Sequence, residues 1–248
     1  MSSPILSVWT DSYNVHWCDA DTKGNASIMA LFNYMQESAL RHAGHLGFGY
    51  DAVLEVKQIW VIVRMQLEVN RYPQWGESIM IRTWPRGVES IFALRDYEII
   101  DSNGNVIVAA TSRWIVIDAI TRRPLPMKII QQALYMCDPR KAIATISEAK
   151  MPADDFVLLK QHTVQYCDLD KHNHVNNTRY VEWIVNAFPG NWFQGHEITA
   201  FRIDYQGESH QDDEIAIYAD QPEGMNTWIK ATRTLDQKII FKALISWR

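Results

Sequence analysis

Two periods of hydrophobic patterning run along this chain, and each occurs twice. From Ser27 onward the apolar positions Ile28, Leu31, Phe32, Met35 and Ala39 recur at three- and four-residue spacing, which predicts a helix with one buried face. Ser27 is placed to cap that helix, and Gly44 and Gly47 mark its end. A second helical stripe, Tyr180, Val181, Ile184, Val185 and Phe188, starts behind Asn176 or Asn177 as cap and is stopped by Pro189-Gly190. Strand patterns follow each helix. The first set covers residues 60–69, 78–84, 92–100 and 106–117, with Asn103-Gly104 as a hairpin turn; the second covers 198–205, 214–219, 227–234 and 239–247.

A strand, a helix and then an antiparallel run of strands is an α+β order, and its simplest packing wraps the sheet around the helix. The doubling extends to individual residues. One constant offset pairs Cys18 with Cys167, Asp19 with Asp168 and Asp21 with Asp170 without a gap. A slightly shorter offset pairs Gln66-Leu-Glu-Val69 with Arg202-Ile-Asp-Tyr205, and Gly76-Glu-Ser-Ile79 with Asp212-Asp-Glu-Ile215. Solenoid repeats run about 20 to 50 residues, so two units this long point to duplication of a whole small domain. The expected layout is a first unit at 1–130, a connection at 131–160 and a second unit at 161–248. The aperiodic stretch 119–160, with Arg122-Arg-Pro-Leu-Pro126 and Met151-Pro-Ala-Asp-Asp155, reads as the crossing segment, carrying a short helix near 129–135.

A chain of 248 residues with 47% hydrophobic and 21% charged residues has the make-up of a folded soluble protein. No stretch approaches the roughly 20 apolar residues of a spanning helix, and the first residues lack a basic region followed by an apolar run, so a cytoplasmic protein without a membrane span is expected. A net charge of −5 argues against nucleic-acid binding, which draws on phosphate neutralisation by Lys and Arg. Three cysteines make no disulfide framework in a chain this long, and Cys18 and Cys167 are expected to be small buried side chains.

Chemistry concentrates in Val164-Gln-Tyr-Cys-Asp-Leu-Asp-Lys-His-Asn-His-Val-Asn-Asn-Thr-Arg-Tyr180. Asp-x-Asp, His-x-His and Asn-Asn follow one another where a strand gives way to a helix, so polar side chains and helix N-terminal N–H groups face one spot that favours developing negative charge. Glu208, on the strand pattern that ends at Ser209, adds a second carboxylate. A carboxylate, an imidazole and a helix N-terminus suffice to activate water and stabilise an oxyanion. Asp170, His172 and His174 would also suit zinc. Asp19, Asp21 and Asp168 read as turn-ordering or capping groups, His42 and His45 as ordinary hydrogen-bonding histidines, and Phe32, Tyr34, Tyr180 and Trp183 as core. Ser209 has no Gly-x-Ser-x-Gly elbow around it and is not a triad serine.

At these residues the sequence resembles the acyl-ACP thioesterases, enzymes with two tandem hotdog folds that release a fatty acid from acyl carrier protein. Asp168-Leu-Asp170, His174-Val-Asn-Asn177 and Glu208 match that family's Asp-x-Asp-x-Asn-x-His-Val-Asn-Asn and downstream Glu. Tyr34-Met-Gln-Glu-Ser-Ala39, Arg71-Tyr-Pro-Gln-Trp-Gly-Glu77, Thr83-Trp84 and Thr121-Arg-Arg-Pro124 extend the likeness through the first half. The chain departs from the pattern at His172, where the family has Asn, and at Ser209, where plant members often have Cys. A Cys nucleophile is therefore not available there.

The resemblance implies a cofactor-free, metal-free thioester hydrolase that acts on fatty acyl-ACP, with acyl carrier protein and the fatty acyl chain as partners and a monomer or homodimer as its state. It further implies catalysis by Asp170, His172, His174 and Glu208, with Asn173, Asn176 and Asn177 positioning the substrate and N–H groups near Val175 to Asn177 helping at the oxyanion. Under the two offsets, Asn25 stands for His174, Lys23 for His172 and Tyr72 for Glu208, so the first unit lacks the full set; the resemblance implies that this unit houses most of the acyl tunnel. An acidic carrier would be drawn to exposed Lys171, Arg179, Arg202, Arg122 or Arg123. The competing readings are an acyl-CoA thioesterase, a hotdog dehydratase and a catalytically silent module that binds acyl thioesters.

Overall fold

The computed structural model describes residues 6–126, 137–153, 155–220 and 225–248, and divides the chain into two compact units, Met1–Ile146 and Ser147–Arg248. The first unit contains β1 (Trp9–Asn14), α1 (Ile28–His45), α2 (Tyr50–Glu55), β2 (Gln58–Val69), β3 (Ser78–Glu89), β4 (Phe92–Ile100) and β5 (Val106–Asp118). The second contains β6 (Phe156–Thr163), α3 (Asn177–Val185), α4 (Trp192–Gly195), β7 (Ile198–Tyr205), β8 (Glu214–Asp220), β9 (Asn226–Arg233) and β10 (Ile239–Trp247). Strand order is β1-β3-β4-β5-β2 in the first unit and β7-β10-β9-β8-β6 in the second, antiparallel at every step. Matching elements take matching places, so the duplication read from residue offsets is a duplication of topology. Each unit is a hotdog fold, an antiparallel sheet wrapped around one central helix.

The helices form for the reasons their patterns give. The Ser27 hydroxyl accepts from the Ala30 N–H at 3.2 Å, and the stripe from Ile28 to Ala39 is buried. Replacing Ser27 by Ala removes that cap and is expected to cost about 1 kcal/mol of stability, read as a lower denaturant midpoint at unchanged slope. In α3 the Asn176 side chain accepts from the Thr178 N–H at 3.1 Å. Tyr180, Val181, Trp183 and Ile184 form its buried face, with the Tyr180 ring 5.5 Å from Phe241 on β10. This helix is shorter than its stripe predicts: Val185 ends it and Asn186 is its C-cap, while Phe188 packs beyond it on Trp192 and Trp247. Apolar spacing continues through that turn because the same core lies beneath it.

His42 is fully buried in the first unit. The Arg95 guanidinium can only donate to its Nδ1, at 3.1 Å, so Nε2 carries the proton and donates to the Leu6 carbonyl at 2.9 Å. Burial first, and then the Arg95 charge, pull the imidazole down to about 4. A histidine neutral in the fold and titrating near 6.5 when unfolded makes the unfolded state bind more protons between those values. Stability is therefore expected to fall as pH drops from about 6.5 to about 4, and His42→Gln should flatten that slope in urea titrations at several pH values.

Short segments hold the remaining differences from the sequence reading. The helix expected near 129–135 lies outside the described residues. Helix α2 has too few turns to show a period, and β6 begins at Phe156, inside the stretch read as connection. The segment from Asp138 is tied to the first sheet, where the Asp138 N–H donates to Pro85, the Ala142 N–H to buried Asp96, and Trp84 Nε1 to Arg140. Among the described residues, no helix is long and apolar enough to cross a membrane.

Candidate active site

One loop is built twice. In the second unit it runs from a 3-10 turn at Tyr166–Asp168 to Asn176: Asp168 accepts from the Gln165 N–H at 2.8 Å, and Asp170 Oδ1 from the His172 N–H at 2.8 Å. The Asp170 N–H donates to the His174 carbonyl and the Asn173 N–H to the Asp170 carbonyl. Asn173 sits at φ 59°, in the left-handed region that Asn tolerates. In the first unit, Asp19, Asp21, Lys23, Gly24 and Asn25 repeat these bonds, with Gly24 at φ 78°. Asp19 and Asp168 also reach equivalent ring groups, Tyr34 at 2.6 Å and Trp183 Nε1 at 3.4 Å. The acids Asp19, Asp21 and Asp168 thus order turns, as their sequence context suggests.

Because these carboxylates face inward, the residue before Asp19 and Asp168 faces out. Cys18 and Cys167, expected to be buried, are exposed. Hydropathy assigned them to the core, but the direction of a 3-10 turn decides their exposure.

The second strand segment of each unit closes on this loop. The Val175 N–H donates to the Ser209 carbonyl at 3.1 Å, as the Ala26 N–H does to Pro73 at 2.8 Å. Glu208 lies beyond the end of β7, on the loop that leads to β8. That loop is pinned by the Gln206 and Gly207 N–H groups, both donating to Ile240 on β10. A Cβ on Gly207 would lie 3.1 Å from Ile240 Cδ1 and 3.2 Å from the Ile239 carbonyl, so glycine is what lets the carboxylate sit this close to the sheet. Ser209 is fully buried.

Two of the expected residues, Glu208 and His174, meet here. Glu208 Oε1 lies 3.8 Å from His174 Nδ1, with both side chains partly open to solvent. The His174 ring meets His210 edge-on at 5.1 Å between centroids. Burial holds the His172 imidazole below its ordinary value, so it is neutral near pH 7 and offers one N–H donor. Below the site, burial pushes the Tyr180 phenol up to about 12, which keeps it neutral.

Two expectations about backbone and charge are corrected. The Val175 and Asn176 N–H groups donate to Ser209 and Asp168, so they hold the loop and are not offered to an oxyanion. Asn176 spends its carboxamide oxygen on the cap, and the Asn177 carbonyl accepts from Tyr205 at 3.3 Å. Helix α3 starts at Asn177, three residues after His174, and its N-terminus carries a partial positive charge. Arg202, expected to be exposed, is buried on β7 and holds Asp204 and the carbonyls of Ser147 and Ala149, whereas Lys171, Arg122 and Arg123 are exposed.

His210 escaped the sequence reading. Its only signal is position, two residues past Glu208, and the offset that pairs it with Gln74. In the first unit Gln74 donates to Asn25, the counterpart of His174, so an amide pair stands where the second unit has two imidazoles.

The acyl-ACP thioesterase N-terminal domain matches residues 7–132, and the acyl-ACP thioesterase C-terminal domain matches 153–248. A chloroplastic palmitoyl-acyl carrier protein thioesterase of Gossypium hirsutum is 31% identical over 83% of this chain, and a chloroplastic oleoyl-acyl carrier protein thioesterase of Arabidopsis thaliana is 31% identical over 76%. The chain spans 53% and 56% of their lengths. The crystal structure of an acyl-ACP thioesterase from Bacteroides thetaiotaomicron superposes with a TM-score of 0.88 at 26% identity, covering 98% of both chains. The fold is shared also with a 12:0-ACP thioesterase from Umbellularia californica, with a TM-score of 0.85 at 24% identity over 97% of both chains. The chain belongs to the acyl-ACP thioesterase family.

Proposed function

We propose that the chain hydrolyses the thioester of fatty acyl-ACP, releasing a free fatty acid and the carrier thiol. The observation that carries this reading is Glu208 held 3.8 Å from His174 at the N-terminus of α3, in a chain whose relatives are named for this reaction. Glu208 takes a proton from water as the water attacks the thioester carbonyl, and His174 positions that water and passes the proton from Glu208 on to the leaving thiolate. Neutral His172 donates to the carbonyl oxygen, and the start of α3 stabilises the charge that develops there. Asp170 fixes the loop that presents both histidines, and Asn173 allows its left-handed turn. The first unit, with amides where the second has imidazoles, serves the acyl chain.

The test is thiol release from a panel of acyl-ACP substrates beside the matching acyl-CoAs. Faster release from the carrier panel is the expected result. Binding of acyl-ACP without release would replace this reading with a silent acyl-binding module.

A further inference from the structure

The imidazole pair beside Glu208 suits a second chemistry. Among the described residues, His174, Glu208 and His210 form the group of three whose ligand atoms all lie within 4.8 Å of one another. We propose that these three side chains bind a zinc ion, and that zinc bound there inhibits hydrolysis; the inhibition rests on the reading of Glu208 as base, the binding does not.

Donor chemistry selects the metal. Two imidazole nitrogens and one carboxylate oxygen suit zinc, whereas calcium and magnesium take oxygen donors almost alone. Zinc at its usual bond lengths places tetrahedral ligands about 3.3 to 3.5 Å apart, so the set must close by roughly an ångström. The side chains can supply that movement: His174 and Glu208 are 33% and 41% exposed, and His210 is exposed. Their backbones are fixed meanwhile. The His210 N–H donates to Asp213 Oδ2 at 3.0 Å, Gly207 is held on Ile240, and the His174 carbonyl accepts from Asp170.

The duplication supplies an internal contrast. At the equivalent places the first unit has Asn25, Tyr72 and Gln74, which offer amides and a phenol and no zinc set. Zinc in the second unit would take the lone pairs of Glu208 and His174, leaving no base to activate water and no imidazole to position it.

The experiment is a calorimetric titration of zinc into the reduced full chain at neutral pH, with thiol release from acyl-ACP followed at the same zinc concentrations. Cys18→Ser and Cys167→Ser are introduced together to remove the exposed thiols as competing ligands. His210→Gln and His174→Asn install the side chains that the first unit carries. One equivalent is expected to bind, each histidine variant to weaken binding by about tenfold or more, and hydrolysis to fall in step with occupancy. No binding, or binding as tight in His210→Gln as in the parent, would overturn the site. Binding that needs His210 but leaves hydrolysis unchanged would overturn the inhibition and count against Glu208 as base. If the chain releases no thiol at all, the functional reading fails, and the titration alone still decides the zinc site.

Discussion

Glu208→Ala is expected to lower thiol release from acyl-ACP by about 10²- to 10⁴-fold, the usual worth of a positioned general base. The fold should not suffer. Glu208 lies on a loop, its side chain is 41% exposed, and the backbone around it is held by Gln206, Gly207 and Ser209, whose hydrogen bonds do not involve the carboxylate. A merely structural role predicts a lower denaturant midpoint with activity retained in the folded fraction. The base role predicts an unchanged midpoint with activity gone. Retained turnover in a folded Glu208→Ala variant would remove this residue from the mechanism.

Phe241→Ala is expected to destabilise the protein by about 3 to 5 kcal/mol, the range for deleting a large aromatic side chain in a core. Phe241 is completely buried on β10, paired with Tyr205 on β7 and Ala231 on β9, and packs on Tyr180 of α3. No neighbouring element is free to collapse into the space, because the ladder fixes both flanking strands. Leu235, 89% exposed, provides the contrast: Leu235→Ala should change stability by no more than about 0.5 kcal/mol. Urea denaturation of the two variants separates them, and a Phe241→Ala cost as small as that of Leu235→Ala would contradict the packing of α3 on this sheet.

Local chemistry explains which parts were legible in the sequence. Periodicity set β4, β7 and β10 to the residue, because each strand is bounded by a turn and packs one face against a helix. The offset that aligns Asp19 with Asp168 carried the loop, since those carboxylates bond backbone only a few residues away. What failed to show was tertiary. Val175 and Asn176 looked like donors to an oxyanion, and only the folded chain reveals that Ser209 and Asp168 take their N–H groups. Arg202 looked like a surface cation, and its carbonyl partners Ser147 and Ala149 lie far away in sequence. His210 carried no motif, and becomes visible only when the loop after β7 folds back against His174.

Of two loops with one backbone design, the proposed mechanism assigns the chemistry to the second alone. Thiol release from acyl-ACP by His174→Ala and by Asn25→Ala, the same change at equivalent positions, tests it most directly. His174→Ala is expected to lose turnover by at least about 10²-fold while Asn25→Ala keeps it within a few-fold. Equal loss in both variants, or full turnover in His174→Ala, would contradict it.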